Sequence, residues 1–180
     1  MKREIINGKT SIQGFHTQEN RPYALTAPVK CVDSKAWLGS GYYFWTDETF
    51  ARYWGIDYKM KTGSYDIYTG YIEENNLLNT TFCEEDYFFL KNNIEKAIKR
   101  IKKIPKEVNL KQVHRFLQKE VWGKLGIKGI IYDDLPHNSY KKNRTYSLLD
   151  PLYYNKRIQI VVFTLDCVNN FEEYLIEQTS

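Results

Sequence analysis

The sequence predicts an α+β fold, and three observations carry that expectation. Strand-like runs cluster in the first 72 residues with one short helical stretch among them, the long helical periodicities lie in the middle of the chain, and apolar strand-like runs return at 129–132 and 157–164. Strands, then helices, then strands is the order of an α+β domain, whereas a parallel α/β sheet would alternate the two throughout. A length of 180 residues fits one domain spanning 1–180, large enough to bury about 70% of the surface its unfolded chain exposes.

Residues 12–17, with Phe15 among them, read as an early strand. The block Tyr42-Tyr43-Phe44-Trp45 within 41–46 has side chains suited to a pleated, half-buried surface. Thr46 or Asp47 then offers a side-chain oxygen to cap a helix in which Phe50, Ala51 and Trp54 share a face. In 65–72, Tyr65, Ile67, Thr69 and Tyr71 alternate with the period of a strand. From Glu84 onward, Tyr87, Leu90, Ile94, Ala97 or Ile98, and Ile101 recur at helical spacing and predict an amphipathic helix ending before Pro105. A second helix starts at Asn109, turns Leu110, Val113, Leu117 and Val121 inward, and ends at Gly123 or Gly126. Ile158, Ile160, Val161, Val162 and Phe163 are nearly continuous, which predicts a central strand. Residues 136–156 have no period and are polar, basic and tyrosine-rich, a long loop of the kind that carries function.

Hydrophobic residues make up 42% of the chain and charged residues 27%, which excludes disordered and collagen-like classes. No run approaches the ~18 apolar residues of a membrane span, and residues 1–10 lead into no apolar signal-peptide core. A soluble, cytoplasmic protein without a membrane partner is expected. Cys31, Cys83 and Cys167 are odd in number and irregularly spaced, and His16, His114 and His137 share no metal-ligand spacing, so neither a disulfide framework nor a metal is expected. The net charge of +4 conceals an asymmetry: 91–128 carries 12 Lys and Arg against Glu95, Glu107 and Glu120, and the rest of the chain is net acidic. Such a segment fits either a solvated helix face or a surface for nucleic acid or another acidic partner.

Three polar features interrupt the strand-like runs. His16 lies between Phe15 and Thr17; Gly39-Ser40-Gly41 opens the aromatic strand, where glycines permit a tight turn and close approach to a ligand; and Gln159 stands in the most apolar run of the chain. An amide there needs hydrogen-bond partners. Taken together, in this order and with Phe50-Ala51 and Trp54 after the glycine motif, they resemble the ADP-ribosyltransferase fold. Within it the chain is similar to the His-Tyr-Glu group, which includes the poly(ADP-ribose) polymerase catalytic domain and small bacterial and phage members.

That resemblance implies two small packed antiparallel or mixed sheets with a central helical insertion, and NAD as the substrate, without a metal. It implies a catalytic trio of His16, Tyr43 and Gln159, in which His16 bonds the adenosine-side ribose, Tyr43 stacks on nicotinamide and Gln159 occupies the position of the family's glutamate. Phe15, Thr17, Gly41 and Trp54 would complete the cofactor site. The glycine that usually follows the histidine is replaced by Thr17. Glutamine has no charge to stabilise a developing cation, so transfer of one ADP-ribose is expected and chain elongation is not. In this fold the loop before the last motif strand helps recognise the acceptor. Lys141, Lys142 and Arg144 lie there beside Tyr146, a mixture of charge and aromatic faces that suits a nucleic-acid acceptor, with a protein acceptor as the alternative. The compact form implies a toxin or defence effector and admits an antitoxin or regulatory protein as a partner. A second reading is a catalytically weak module that recognises NAD, ADP-ribose or nucleic acid. A third is an unrelated α+β nucleic-acid-binding protein.

Overall fold

The computed structural model describes residues 1–32, 36–60, 63–101, 108–134 and 157–174. Strands β1 (Arg3–Ile6) and β2 (Lys9–Glu19) form a hairpin whose turn residues, Asn7 and Gly8, have φ of 53° and 75°. Positive φ at both centres of a two-residue turn matches the twist of the strands it joins. Strand β3 (Tyr42–Trp45) leads into α1 (Glu48–Trp54), capped as expected by Asp47, whose carboxylate accepts the Thr49 N–H at 2.8 Å. There follow β4 (Tyr65–Glu73) and β5 (Leu77–Asn79), then α2 (Glu84–Ile101) and α3 (Leu110–Leu117). Strands β6 (Gly129–Asp133), β7 (Ile158–Val162) and β8 (Val168–Glu173) close the chain.

These strands make a mixed α+β architecture with one eight-stranded sheet in the order β5-β6-β7-β3-β2-β4-β8, with β1 added to β2. Only β5 and β6 run parallel among the described pairs. The expectation of two separate sheets is corrected here, because β3 and β2 hydrogen-bond through one residue pair, Phe15 with Trp45. That pair is a narrow waist between two broader halves, which also share a core: Ile12 and Ile72 from one half are buried with Phe44, Ile160 and Val162 from the other. Gly14 permits the approach, since a Cβ there would stand 2.5 Å from Ile72 Cδ1 and 2.9 Å from Phe44 Cβ.

Helices α2 and α3 cover one face of the β6–β7–β3 half, burying Leu90, Ala97, Val113, Leu117 and Trp122 against Leu38, Ile130 and Val161. The Asn109 cap of α3 is reciprocal: its side chain accepts the Gln112 N–H, and the Gln112 side chain accepts the Asn109 N–H. Two residues expected to face inward do not. Tyr87 is 50% exposed, because the first turn of α2 is oriented by Asp86, whose carboxylate accepts the Asn79 N–H of β5 at 2.7 Å. Leu110 is 40% exposed, since it occupies the first position of α3, at the open end of the buried stripe. The central strand is borne out, with every residue of β7 buried between β6 and β3.

Among the described residues no helix is long and apolar enough to cross a membrane. No group of His, Cys, Asp and Glu among them is arranged to hold a metal ion.

Candidate active site

Tyr43 and Gln159 are brought to one face of the sheet by the antiparallel pairing of β3 with β7. Tyr43 is opposite Val161 and Trp45 is opposite Gln159, and directly opposed residues share a face. On the other side of β7, Tyr132 is opposite Gln159, so the amide stands between Trp45 and Tyr132. Gln159 is 6% exposed, and its Oε1 has no hydrogen-bond partner among the described residues. A buried acceptor left without a donor costs about 1–3 kcal/mol, so this oxygen is primed to take a donor from a ligand.

The loop before β3 is held from two sides. The Tyr43 hydroxyl donates to the Gly39 carbonyl at 2.8 Å and accepts the Leu38 N–H at 3.1 Å. Gln118, at the end of α3, clamps Ser40 through both backbone groups, its Oε1 accepting the Ser40 N–H at 3.0 Å and its Nε2 donating to the Ser40 carbonyl at 2.6 Å. Gly39 has φ of 104°, the left-handed turn that glycine supplies without strain. Gly41 serves packing: its backbone exchanges hydrogen bonds with Cys31, and a Cβ would stand 2.6 Å from both Val161 Cγ2 and the Val162 carbonyl oxygen. Gly41→Ala is therefore expected to lower stability by about 1–3 kcal/mol, as overpacking against a fixed backbone does, read from urea unfolding.

His16 is placed differently from the expectation. Along β3, Phe44 faces away from Tyr43 and Trp45, and it is Phe44 and Phe171 that the His16 ring meets, at 5.6 Å and 6.1 Å between centroids. Both ring nitrogens hold backbone groups: Nδ1–H donates to the Tyr43 carbonyl at 2.9 Å, and Nε2 accepts the Val29 N–H at 3.2 Å. Burial pushes the imidazole down to about 4, only partly offset by its bond to Tyr43. His16 is thus a neutral pin between β2, β3 and the segment at Val29, and it reaches the Tyr43 face only through the Tyr43 backbone.

The other expected residues form the floor of the same region. Thr17 donates its hydroxyl to the Ala51 carbonyl at 2.8 Å, tying β2 to α1. Phe15 packs with Trp45, Ala51 and Ile67, with Tyr174 edge-on to its ring. Trp54 stacks on Tyr58 at 4.2 Å and lies 6.0 Å from Trp45. Lys141, Lys142, Arg144 and Tyr146, with the rest of the expected 136–156 loop, lie outside the described residues.

No family model, curated protein or solved structure matches this chain.

Three side chains that sequence reasoning did not select border the site. Trp37 meets Tyr132, the β6 neighbour of Gln159, edge-on at 5.0 Å. Burial raises the Tyr132 phenol above its ordinary range and keeps it neutral. Arg157, two residues before Gln159 on the same face, lays its guanidinium 5.2 Å over Trp45 and 5.7 Å over Phe50 and donates to Asp134 at 3.1 Å. Alternation alone could have placed Arg157 on the face of Gln159; Tyr132 comes beside it only through the pairing of β6 with β7, and the loop clamp by Gln118 had no local signal. The assembled face carries the Tyr43, Trp45 and Tyr132 rings, the Gln159 acceptor oxygen and, at its edge, the Arg157 cation paired with Asp134, with Tyr43 and Tyr132 packed against the core that α2 and α3 cover.

Proposed function

We propose that this chain binds NAD against the β3–β7 face and transfers or hydrolyses a single ADP-ribose, as its resemblance to the His-Tyr-Glu ADP-ribosyltransferases implies. The observation that supports this best is Gln159 Oε1, a buried acceptor without a donor among the described residues, on the face that also carries Tyr43 and Trp45. A ribose hydroxyl is the donor that oxygen needs. With the ribose so held and nicotinamide against the Tyr43 ring, the bond between the ribose and the nicotinamide nitrogen breaks, and the nitrogen keeps the bonding pair. The ribose then carries oxocarbenium-like charge until water or an acceptor adds. Gln159 orients the sugar but adds no negative charge, which suits slow transfer of one unit. His16 contributes by fixing the Tyr43 backbone. The acceptor in this reading is a nucleic acid or a protein, and the setting is that of a toxin or defence effector. The neutral Gln159 and the fully engaged His16 ring also favour a second reading, a module that recognises NAD or ADP-ribose without turnover.

Incubation of the protein with NAD, with and without RNA, DNA and protein extract, separates these readings by chromatography of released nicotinamide. Release that falls roughly tenfold in Tyr43→Ala, the loss of one stacked ring, is the expected result. Calorimetric NAD binding without release supports the recognition module. Neither binding nor release in folded protein removes both.

A further inference from the structure

Helices α2 and α3 pack on a common core and turn their outer sides to solvent. Those outer sides carry Lys91, Lys96, Lys99 and Arg100 on α2 and Lys111 and Arg115 on α3, all exposed except Lys111, which is half-buried. None of the six has an acidic partner among the described residues, and within the helices only Glu95 lies in their midst. Elsewhere most cations are paired: Arg3, Lys9, Arg52, Lys59, Lys128 and Arg157 each have a carboxylate within 4 Å, while Arg21 meets the Tyr23 hydroxyl and Lys30 the Tyr42 ring. Among the described residues, the helical layer is where cations without a carboxylate partner are gathered together.

We infer that the outer face of α2 and α3 binds single-stranded nucleic acid. The phosphate backbone is the complement of an uncompensated cationic strip. The choice of a single strand follows from what adjoins that strip: Phe88 and Phe89 are 46% and 38% exposed, and the Lys91 ammonium lies 6.0 Å over the Phe88 ring. Exposed rings beside cations stack unpaired bases, which a duplex keeps inside. The acidic first turn of α2, Glu84 to Asp86, complements the helix dipole and bounds the strip on that side, so the strand runs from Phe88 toward Arg100. This surface is separate from the β3–β7 face and does not rest on the NAD reading.

Fluorescence anisotropy with labelled single-stranded and duplex oligonucleotides, without NAD, tests it. With about five phosphates neutralised, single-strand affinity is expected to fall about a hundredfold between about 50 and 200 mM salt. Lys96→Gln, Lys99→Gln and Arg100→Gln combined should reduce the slope of log affinity against log salt by about two. Phe88→Ala should weaken single-strand binding and leave duplex binding unchanged. These surface changes spare the core, which circular dichroism confirms. Absence of binding at low salt overturns the inference, as does an unchanged slope in the folded triple variant. Equal binding to polyglutamate or to phosphatidylserine vesicles also overturns it, pointing to an acidic protein or a membrane surface instead.

Discussion

Acidification from about pH 7.5 to about pH 4.5 is expected to remove about 2 to 3 kcal/mol of folding stability for each of His16 and His114. Burial pushes both imidazoles from an ordinary 6.5 down to about 4. The native state therefore holds them neutral while the unfolded chain protonates them. Their contribution is fully present above pH 6.5 and is lost as the pH falls toward 4. His114 is the sharper test, because its Nδ1 is buried without a partner among the described residues and it lies on the core-facing side of α3. His114→Leu removes a polar atom that gains nothing from folding, so urea unfolding should show the variant losing less stability on acidification than the native protein. An equal loss in both proteins sinks this account of His114, and unchanged stability at the lower pH sinks it for both residues.

Gln159→Glu is expected to raise NAD hydrolysis by about a hundredfold, the scale of one well-placed electrostatic contact to a transition state. The substitution keeps the side chain's size and its acceptor oxygen and adds negative charge opposite the developing ribose cation. The new carboxyl would be buried between Trp45 and Tyr132, so desolvation raises its pKa and the rate gain should grow as the pH increases. Nicotinamide release across a pH series measures both effects. An unchanged rate in a folded variant whose parent releases nicotinamide removes Gln159 from the reacting centre and leaves the NAD reading to stand on other residues.

Much of the secondary structure was legible because its causes are local. Asp47 and Asn109 act as caps within three residues of themselves, the periodicities of α2 and α3 repeat within a few turns, and the apolar run of β7 announces a central strand. The hairpin of β1 and β2 was not anticipated: the expected strand began only at Ile12, and the positive φ of Asn7 and Gly8 is what turns the chain before it. Strands β5 and β8 had no comparable signal. The three residues of β5 are a strand because β6 pairs with them, and Val168–Glu173 is one because β4 does.

The site divides the same way. Residue type singled out Gln159, since an amide in an apolar strand is visible one strand at a time, and Tyr43 entered only through the resemblance to a known family. Which face each occupies was decided by the pairing of β3 with β7, and the engagement of His16 by the Tyr43 and Val29 backbones was decided by how β2 meets β3 at the waist. Gln118 reaches Ser40 across 78 residues of sequence. The sequence by itself determined the α+β class, the helix caps, the buried stripes and the excess of positive charge in the middle of the chain, because torsional preference, periodicity and charge belong to neighbouring residues. The tertiary structure alone decided which polar atoms find partners and which, like Gln159 Oε1, do not, because hydrogen bonds and burial are settled between segments that only folding brings together.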